Sequence, residues 1–261
     1  PPCVNLIIKK KIKKVYYSYA DNDTRSKNKC IKVLRKHNIQ VNNLLLKKKG
    51  TDFYKSYKMQ HENNIPFIDA KIAISKDYYT KNKKEKRITN LYSEKITHLL
   101  RSQYDCIVST SKTINDDNSL LTCRINGLEN KSPDLIIIDR FLKLKKNLDI
   151  FKLTSKRKII IFTTEEKKNK ITFFKKKGIK VIILNSLSDK NDYYEMFKII
   201  KKISYNRVFF ECGIRLLDFL IKKKFLHNIY IFKSNRNLKS KGINYGNINC
   251  IKKISLKNRI I

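Results

Sequence analysis

Two stretches constrain this chain more than any others, LIIID (135–139) and KIIIFTT (158–164). Each is a short, uninterrupted apolar run, and a strand that is apolar at every position has to be covered on both faces. That is how central strands of a parallel sheet read. FIDAKIAIS (67–75), DCIVSTS (105–111), KVIIL (180–184), RVFFE (207–211) and NIYIFK (228–233) read as further strands. Helix-period segments fall between them at 90–102, 167–177, 191–203 and 213–224, the second stopping at Gly178. Strands alternating with helices predict an α/β domain with a mostly parallel sheet. Upstream, the periods predict a helix at 4–12, a strand at KVYYSY (14–19), a helix at 26–38 and a short strand at 40–46. Lys47-Lys48-Lys49-Gly50 then breaks the pattern before a connecting helix over 52–62. The composition shift at 47–64 marks the expected domain boundary.

Charge is the second constraint. Lys and Arg number 60 against 22 Asp and Glu, a net charge of +38. A nucleic-acid surface would explain the sign, but 49 of the basic residues are Lys and only 11 are Arg, whereas base recognition favours the planar Arg fork. Ile outnumbers Val 38 to 7, which no nucleic-acid surface requires. The lysines are dispersed over loops and helix faces and read as solvated charge. A basic nucleic-acid-binding protein is therefore the alternative reading, and no specific nucleic-acid partner is expected. No apolar run reaches the roughly 18–20 residues of a membrane span, so no membrane association is expected. The six cysteines form no Cys-x-x-Cys pair, which favours a reducing cytoplasm over a disulfide scaffold. The chain opens Pro1-Pro2-Cys3 and reads as a fragment or a processed product.

No dinucleotide fingerprint, phosphate loop or nucleophile elbow occurs. Two strand-to-helix junctions stand out instead: RSQYDCIVSTSKTINDDNSLLTCR (101–124) and FFECGIRLLDFL (209–220). Ligands of open α/β sheets sit beyond the carboxyl ends of the strands, and helix N-termini offer free N–H groups to anions. Glu211, at the second junction, has two readings on its own: a ligand-binding carboxylate or a helix cap.

Together these segments resemble the reductase domain of the bifunctional riboflavin-biosynthesis deaminase/reductase family. The resemblance runs through Arg101, Asp105, Ile107 and Thr113, a carboxylate four residues further on, and Leu-Thr-x-Arg at 121–124. KIAIS with Asp77 is similar to the family's Lys-Leu-x-x-Ser-x-Asp-Gly stretch, and Glu211-Cys212-Gly213 to its Val-Glu-x-Gly motif. PPCVNLIIKKKIKKVYYSYADND resembles the tail of the deaminase domain. The resemblance implies a dihydrofolate-reductase-like reductase domain (65–261) with a central mostly parallel sheet. Before it would come the C-terminal remnant of a cytidine-deaminase-like α/β domain (1–48) and a connecting helix (49–64).

The implied reaction is NADPH-dependent reduction of the ribosyl group of 5-amino-6-(5-phosphoribosylamino)uracil. Its implied partner is thus a small phosphorylated pyrimidine; self-association is left open. Implied catalytic and substrate-binding residues are Lys71, Thr89, Arg101, Leu121, Arg124 and Glu211, with Arg101 and Arg124 clamping a phosphate and Glu211 holding ribosyl hydroxyls. Implied cofactor-side residues are Ala73, Thr113, Asp117 and the backbone of Gly213, Ile214, Arg215, Leu216 and Leu217. Plainer roles stand beside these: Arg101 as a favourable helix end, Arg124 as a surface cation, Thr89 as an N-cap, Leu121 as core, and Asp116 in place of Asp117.

Three departures accompany the resemblance. Arg87 stands where the family has Trp, Tyr78 where it has Gly, and Asp117-Asn118-Ser119 where it has Asp-Asp-Pro. Cys3 matches one zinc ligand of the deaminase, whose His, Glu and other Cys would precede residue 1, so zinc belongs to a full-length parent. ISLKNRII (254–261) resembles a segment after which the family continues through a further strand, so the C-terminus also reads as cut. A related reductase acting on another substrate and a catalytically dead relic remain as rivals.

Overall fold

The computed structural model describes residues 2–19, 29–43, 45–62, 64–85 and 87–257, and the chain folds as two compact units, 1–64 and 65–261. The first contains α1 (Pro2–Lys9), β1 (Lys14–Tyr16), α2 (Lys29–Lys36), β2 (Gln40–Asn42) and α3 (Lys47–Glu62). β1 and β2 pair in parallel, Val15 opposite Val41, over a small core of Val4, Leu34 and Ile39. α1 ends three residues before the expected Ile12, and β2 stops at Asn42 rather than residue 46. The Lys-Lys-Lys-Gly segment does not break the pattern: it is the first turn of α3. Gly50 is used there for close packing, because a Cβ would come within 2.9 Å of Ser18 Oγ.

The second unit runs β3 (Phe67–Ile74), β4 (Lys81–Asn82), α4 (Leu91–Arg101), β5 (Cys106–Thr110), α5 (Ser111–Asp117), β6 (Asp134–Ile138), β7 (Ile159–Thr163), α6 (Lys168–Lys176), β8 (Lys180–Ile183), α7 (Lys190–Lys202), β9 (Arg207–Phe210), α8 (Ile214–Lys222), β10 (Asn228–Lys233), β11 (Gly242–Ile243) and α9 (Asn249–Lys257). Seven strands form one parallel sheet in the order β10-β3-β9-β5-β6-β7-β8. This is the α/β, dihydrofolate-reductase-like architecture expected from the strand–helix alternation and the resemblance. The uniformly apolar runs occupy the buried strands β6 and β7 as their composition requires. Period-2 alternation divides the core. Ile136, Ile160, Val208 and Phe210 face α7 and α8, whereas Ile107, Leu135, Ile137, Ile161 and Phe209 face α4, α5 and α6.

Sequence pattern missed the short antiparallel pair β4–β11, in which two residues a side leave no period to read. It also missed α9; residues 258–261, the end of the segment read as preceding a further strand, lie outside the described residues. Asp77 ties this region down by accepting from Ser75 Oγ at 2.5 Å and from the Leu238 and Lys239 amides.

Two turns show where backbone conformation matters. Gly178 ends α6 at φ +76°, and a Cβ there would meet only Thr154 Cβ, at 3.9 Å. Gly178→Ala is therefore expected to cost about 1 kcal/mol from the left-handed backbone alone, measurable by denaturant unfolding. Tyr78 takes φ +67° without being glycine. Its hydroxyl accepts from Lys233 Nζ at 3.0 Å and its ring lies under the same ammonium at 4.1 Å.

Candidate active site

From β5 the chain proceeds to β6 on one side, and from β9 to β10 on the other, so the direction of winding reverses between β5 and β9. Such a reversal opens a crevice at the carboxyl ends of the strands. Here it is a cleft of about 620 Å³. The two junctions seen in the sequence flank it and are tied together, with Ser109 Oγ donating to the Glu211 carbonyl at 2.7 Å and the Glu211 amide to the Val108 carbonyl at 3.0 Å.

The cleft is lined by Lys71, Ala73, Thr89, Arg101, Thr113, Asp116, Asp117, Leu121, Arg124, Glu211, Gly213, Ile214, Arg215 and Leu216. Residues of the first junction as far apart as Arg101 and Arg124 thus meet those of the second. Lys71 and Ala73 point into it because, two apart on β3, they share the face carrying Asp69. Leu121 is 4% exposed, packs in the core and also lines the cleft.

Two residues fall elsewhere. Leu217 is fully buried outside the cleft, and its N–H donates to the Gly213 carbonyl at 3.2 Å, so it has no donor to offer a ligand. The N–H groups without intrahelical acceptors are those before it, Gly213 to Leu216. Cys3 is exposed on α1 in the first unit, and no group of three or more His, Cys, Asp or Glu able to hold a metal occurs among the described residues. Those residues do not fit a zinc ion.

The expected phosphate clamp of Arg101 and Arg124 is not what the structure builds. Arg101 Nε and one terminal nitrogen donate to the two oxygens of Glu211 at 2.6 and 3.0 Å, and the other terminal nitrogen donates to the Thr122 carbonyl at 2.9 Å. Both side chains are about 10% exposed. Arg101 is therefore bound to an internal carboxylate, and Glu211 is not the cap of α8, which starts at Gly213 without a side-chain cap. Nor does Thr89 cap α4: Asn90 does, accepting from the Ser93 amide.

Electrostatics follow from this packing. Burial raises the Glu211 pKa, but the charges of Arg101 and Lys71 more than reverse that and hold it below its ordinary value. Burial penalises the Arg101 charge, and Glu211 overcomes the penalty. Lys71 goes the other way. Desolvation pulls its pKa below the ordinary value, and Glu211 opposes this without cancelling it. The result is a desolvated ammonium, 5.5 Å over the Phe232 ring, beside a carboxylate locked in place.

Residues 109–113 are the end of β5 and the first turn of α5. Thr110 caps it, accepting from the Thr113 amide at 3.2 Å, and the two hydroxyls lie 3.0 Å apart. Asp116 and Asp117 both line the cleft and share Lys81 at 3.4 and 3.5 Å.

Several lining residues escaped the sequence reading. Glu94 takes Arg87 on one oxygen and Arg124 on the other, each at 3.1 Å. His98, 4% exposed, lies 2.8 Å from the Thr122 carbonyl and 3.2 Å from the Arg124 amide through Nδ1. Burial, reinforced by Arg101 and Arg124, lowers its pKa and keeps it neutral. Tyr245 enters from the loop after β11, with Lys112 4.9 Å from its ring. Glu94 and His98 lie four apart on one helix, a spacing legible in the sequence, but nothing local says that α4 turns that face to the cleft.

Comparison with known proteins agrees with the fold. Residues 66–233 match the RibD C-terminal domain family. The chain is 26% identical over 250 residues to the riboflavin biosynthesis protein RibD of Aquifex aeolicus, covering 95% of this chain and 68% of that protein. It superposes on a diaminohydroxyphosphoribosylaminopyrimidine deaminase/5-amino-6-(5-phosphoribosylamino)uracil reductase from Thermotoga maritima with TM-score 0.76 at 22% identity, covering 94% of this chain and 65% of that one. On the riboflavin biosynthesis reductase Rib7 of Saccharomyces cerevisiae the TM-score is 0.58 at 22% identity, with 76% and 88% covered. The chain thus spans about two thirds of the length of the first two. No described helix is long and apolar enough to cross a membrane.

Proposed function

The chain belongs to the RibD C-terminal domain family, a reductase-type domain of riboflavin biosynthesis, and on that premise we propose that it reduces the ribosyl group of 5-amino-6-(5-phosphoribosylamino)uracil with NADPH. In this reading residues 65–261 are the reductase domain, 1–48 are the end of a deaminase domain and 49–64 are the connecting helix, with no group of three or more His, Cys, Asp or Glu able to hold a zinc ion among the described residues.

One observation carries the proposal: Lys71, the Arg101–Glu211 pair, Thr113 and the open N-terminus of α8 converge on one cleft at the winding reversal. A reduced pyridine nucleotide, when bound, supplies a hydride. The residues present fit such a group. Gly213 leaves its surroundings open, since a Cβ would meet only Thr113 Oγ1, at 4.0 Å, and the backbone donors of Gly213 to Leu216 point where phosphates can accept them. Thr113 and Asp117 line the same side, and Ala73 keeps β3 slim there.

Reduction at C1′ breaks the C1′–O4′ bond, and O4′ must gain a proton. Lys71 Nζ is the group suited to hold and deliver it, because desolvation weakens its grip on the proton. Glu211, held by Arg101, presents fixed lone pairs to sugar hydroxyls and orients the ring. Loss of NADPH absorbance with the deaminated pyrimidine substrate tests the assignment; no turnover by the purified protein would defeat it.

Gly213→Ser separates binding from folding. Gly213 sits at φ −67°, ψ 160°, an N-cap conformation in which Ser is preferred to Gly. The variant is expected to be as stable as wild type or slightly more so. The added side chain would occupy the cleft and weaken NADPH binding at least about tenfold, the loss of one hydrogen bond to a charged group. Calorimetric titration beside a thermal melt checks both halves.

A further inference from the structure

The commitment of Arg101 to Glu211 leaves the cleft without its expected phosphate clamp, and another pair of arginines gathers at Glu94, on the same helix α4. Arg87 and Arg124 are 63% and 53% exposed in their side chains, both line the cleft, and both converge on the Glu94 carboxylate through one terminal nitrogen each, at 3.1 Å. Arg124 is fixed from below, its amide 3.2 Å from His98 Nδ1. Glu94 is itself 30% exposed, and His98 Nε2 stands 3.8 Å from the oxygen that takes Arg124.

A carboxylate bridging two guanidinium groups marks a place where two oxygens of an anion are stable. These pairs are exposed and singly bonded, and exposed ion pairs are worth only about 0–1 kcal/mol. A dianion able to form bidentate, charge-assisted bonds to both forks would displace them. Two cations against the single charge of Glu94 leave this wall at net +1 with His98 neutral, and a phosphomonoester carries close to the two charges the arginines can match.

We propose that Arg87 and Arg124 together bind a phosphomonoester of the ligand, with Glu94 as the placeholder that holds both guanidinium groups until the phosphate displaces it. The inference rests on the reductase reading, which supplies two such groups: the terminal phosphate of the ribosylated pyrimidine and the 2′-phosphate of NADPH. It gives a role to Arg87, which stands where the resemblance places an aromatic residue.

Inorganic phosphate titrated calorimetrically into the unliganded chain at low ionic strength is the direct test. Wild type is expected to bind saturably, Arg87→Ala and Arg124→Ala to bind at least about tenfold more weakly, and Glu94→Gln to bind more tightly, because the competing charge is gone. A merely structural Glu94 would give the opposite sign. Arg87→Gln, at the same exposed position, must repeat the Ala result. Unsaturable binding by wild type, unchanged affinity in Arg87→Ala, or weaker binding in Glu94→Gln would each overturn the clamp. Kinetics of Arg87→Ala then identify the source. A raised KM for the pyrimidine alone assigns its phosphate, a lost preference for NADPH over NADH assigns the 2′-phosphate, and no change in either overturns the proposal. Because phosphate binding needs no turnover, an inactive wild type with these affinities would defeat the reductase reading and leave the clamp standing.

Discussion

Glu211→Gln is expected to lower kcat/KM on the order of 10²-fold, the effect of misplacing reacting atoms by about 1 Å, and to lower the melting temperature as well. The second half comes from the structure. Glu211 accepts both bonds of a bidentate contact from Arg101, at 2.6 and 3.0 Å and about 10% exposure. Removing one partner of a buried pair leaves the other charge uncompensated, a loss of about 3–5 kcal/mol; Gln keeps one acceptor and belongs at the lower end. The acid response should change too. The Glu211 pKa is depressed from its ordinary 4.5, so its stabilisation is complete above that value and is lost as pH falls through the lower folded-state value. Wild type should therefore lose more stability than the variant on acidification below about pH 4.5. Steady-state kinetics per folded molecule, with melts at two pH values, check this. A variant that is destabilised yet fully active would reduce Glu211 to a structural counter-ion of Arg101.

Lys71→Met is expected to have the opposite stability signature and a larger kinetic one. Removing a general acid costs about 10²–10⁴ in rate, and Met keeps the length of the side chain across the Phe232 ring. The ammonium is desolvated, and its pKa lies below the ordinary 10.5. Between the folded-state value and 10.5 the unfolded chain binds more protons, so this group makes stability rise with pH. The charge thus costs stability at neutral pH, and the variant should melt no lower than wild type. It should also lose the alkaline rise. Near-normal turnover in Lys71→Met would leave the proton to another donor.

These two residues show how the site divides between sequence and structure. Their placement at the carboxyl ends of strands was legible from KIAIS and RVFFE; that Lys71 and Glu211 share a face follows from the pairing of Asp69 with Phe209. The meeting with Arg101 was not. Arg101 ends a helix 110 residues before Glu211, and its charge fits a helix dipole, a phosphate or a carboxylate equally well from sequence. Only the packing of α4 over β9 selects the carboxylate, which leaves Arg87 and Arg124 for the phosphate-binding role proposed above.

The same line runs through the rest of the chain. Uniformly apolar runs determined β6 and β7, Gly178 determined the end of α6, and the strand–helix alternation determined the parallel sheet, because each depends on contacts within a few residues or on burial of a whole face. The Leu217 N–H was decided by where α8 starts, because the fourth residue past the cap already has an intrahelical acceptor. Glu94, His98 and Tyr245 were decided by tertiary structure: whether a polar face or a loop side chain meets a cleft depends on how elements pack, which local periodicity does not encode.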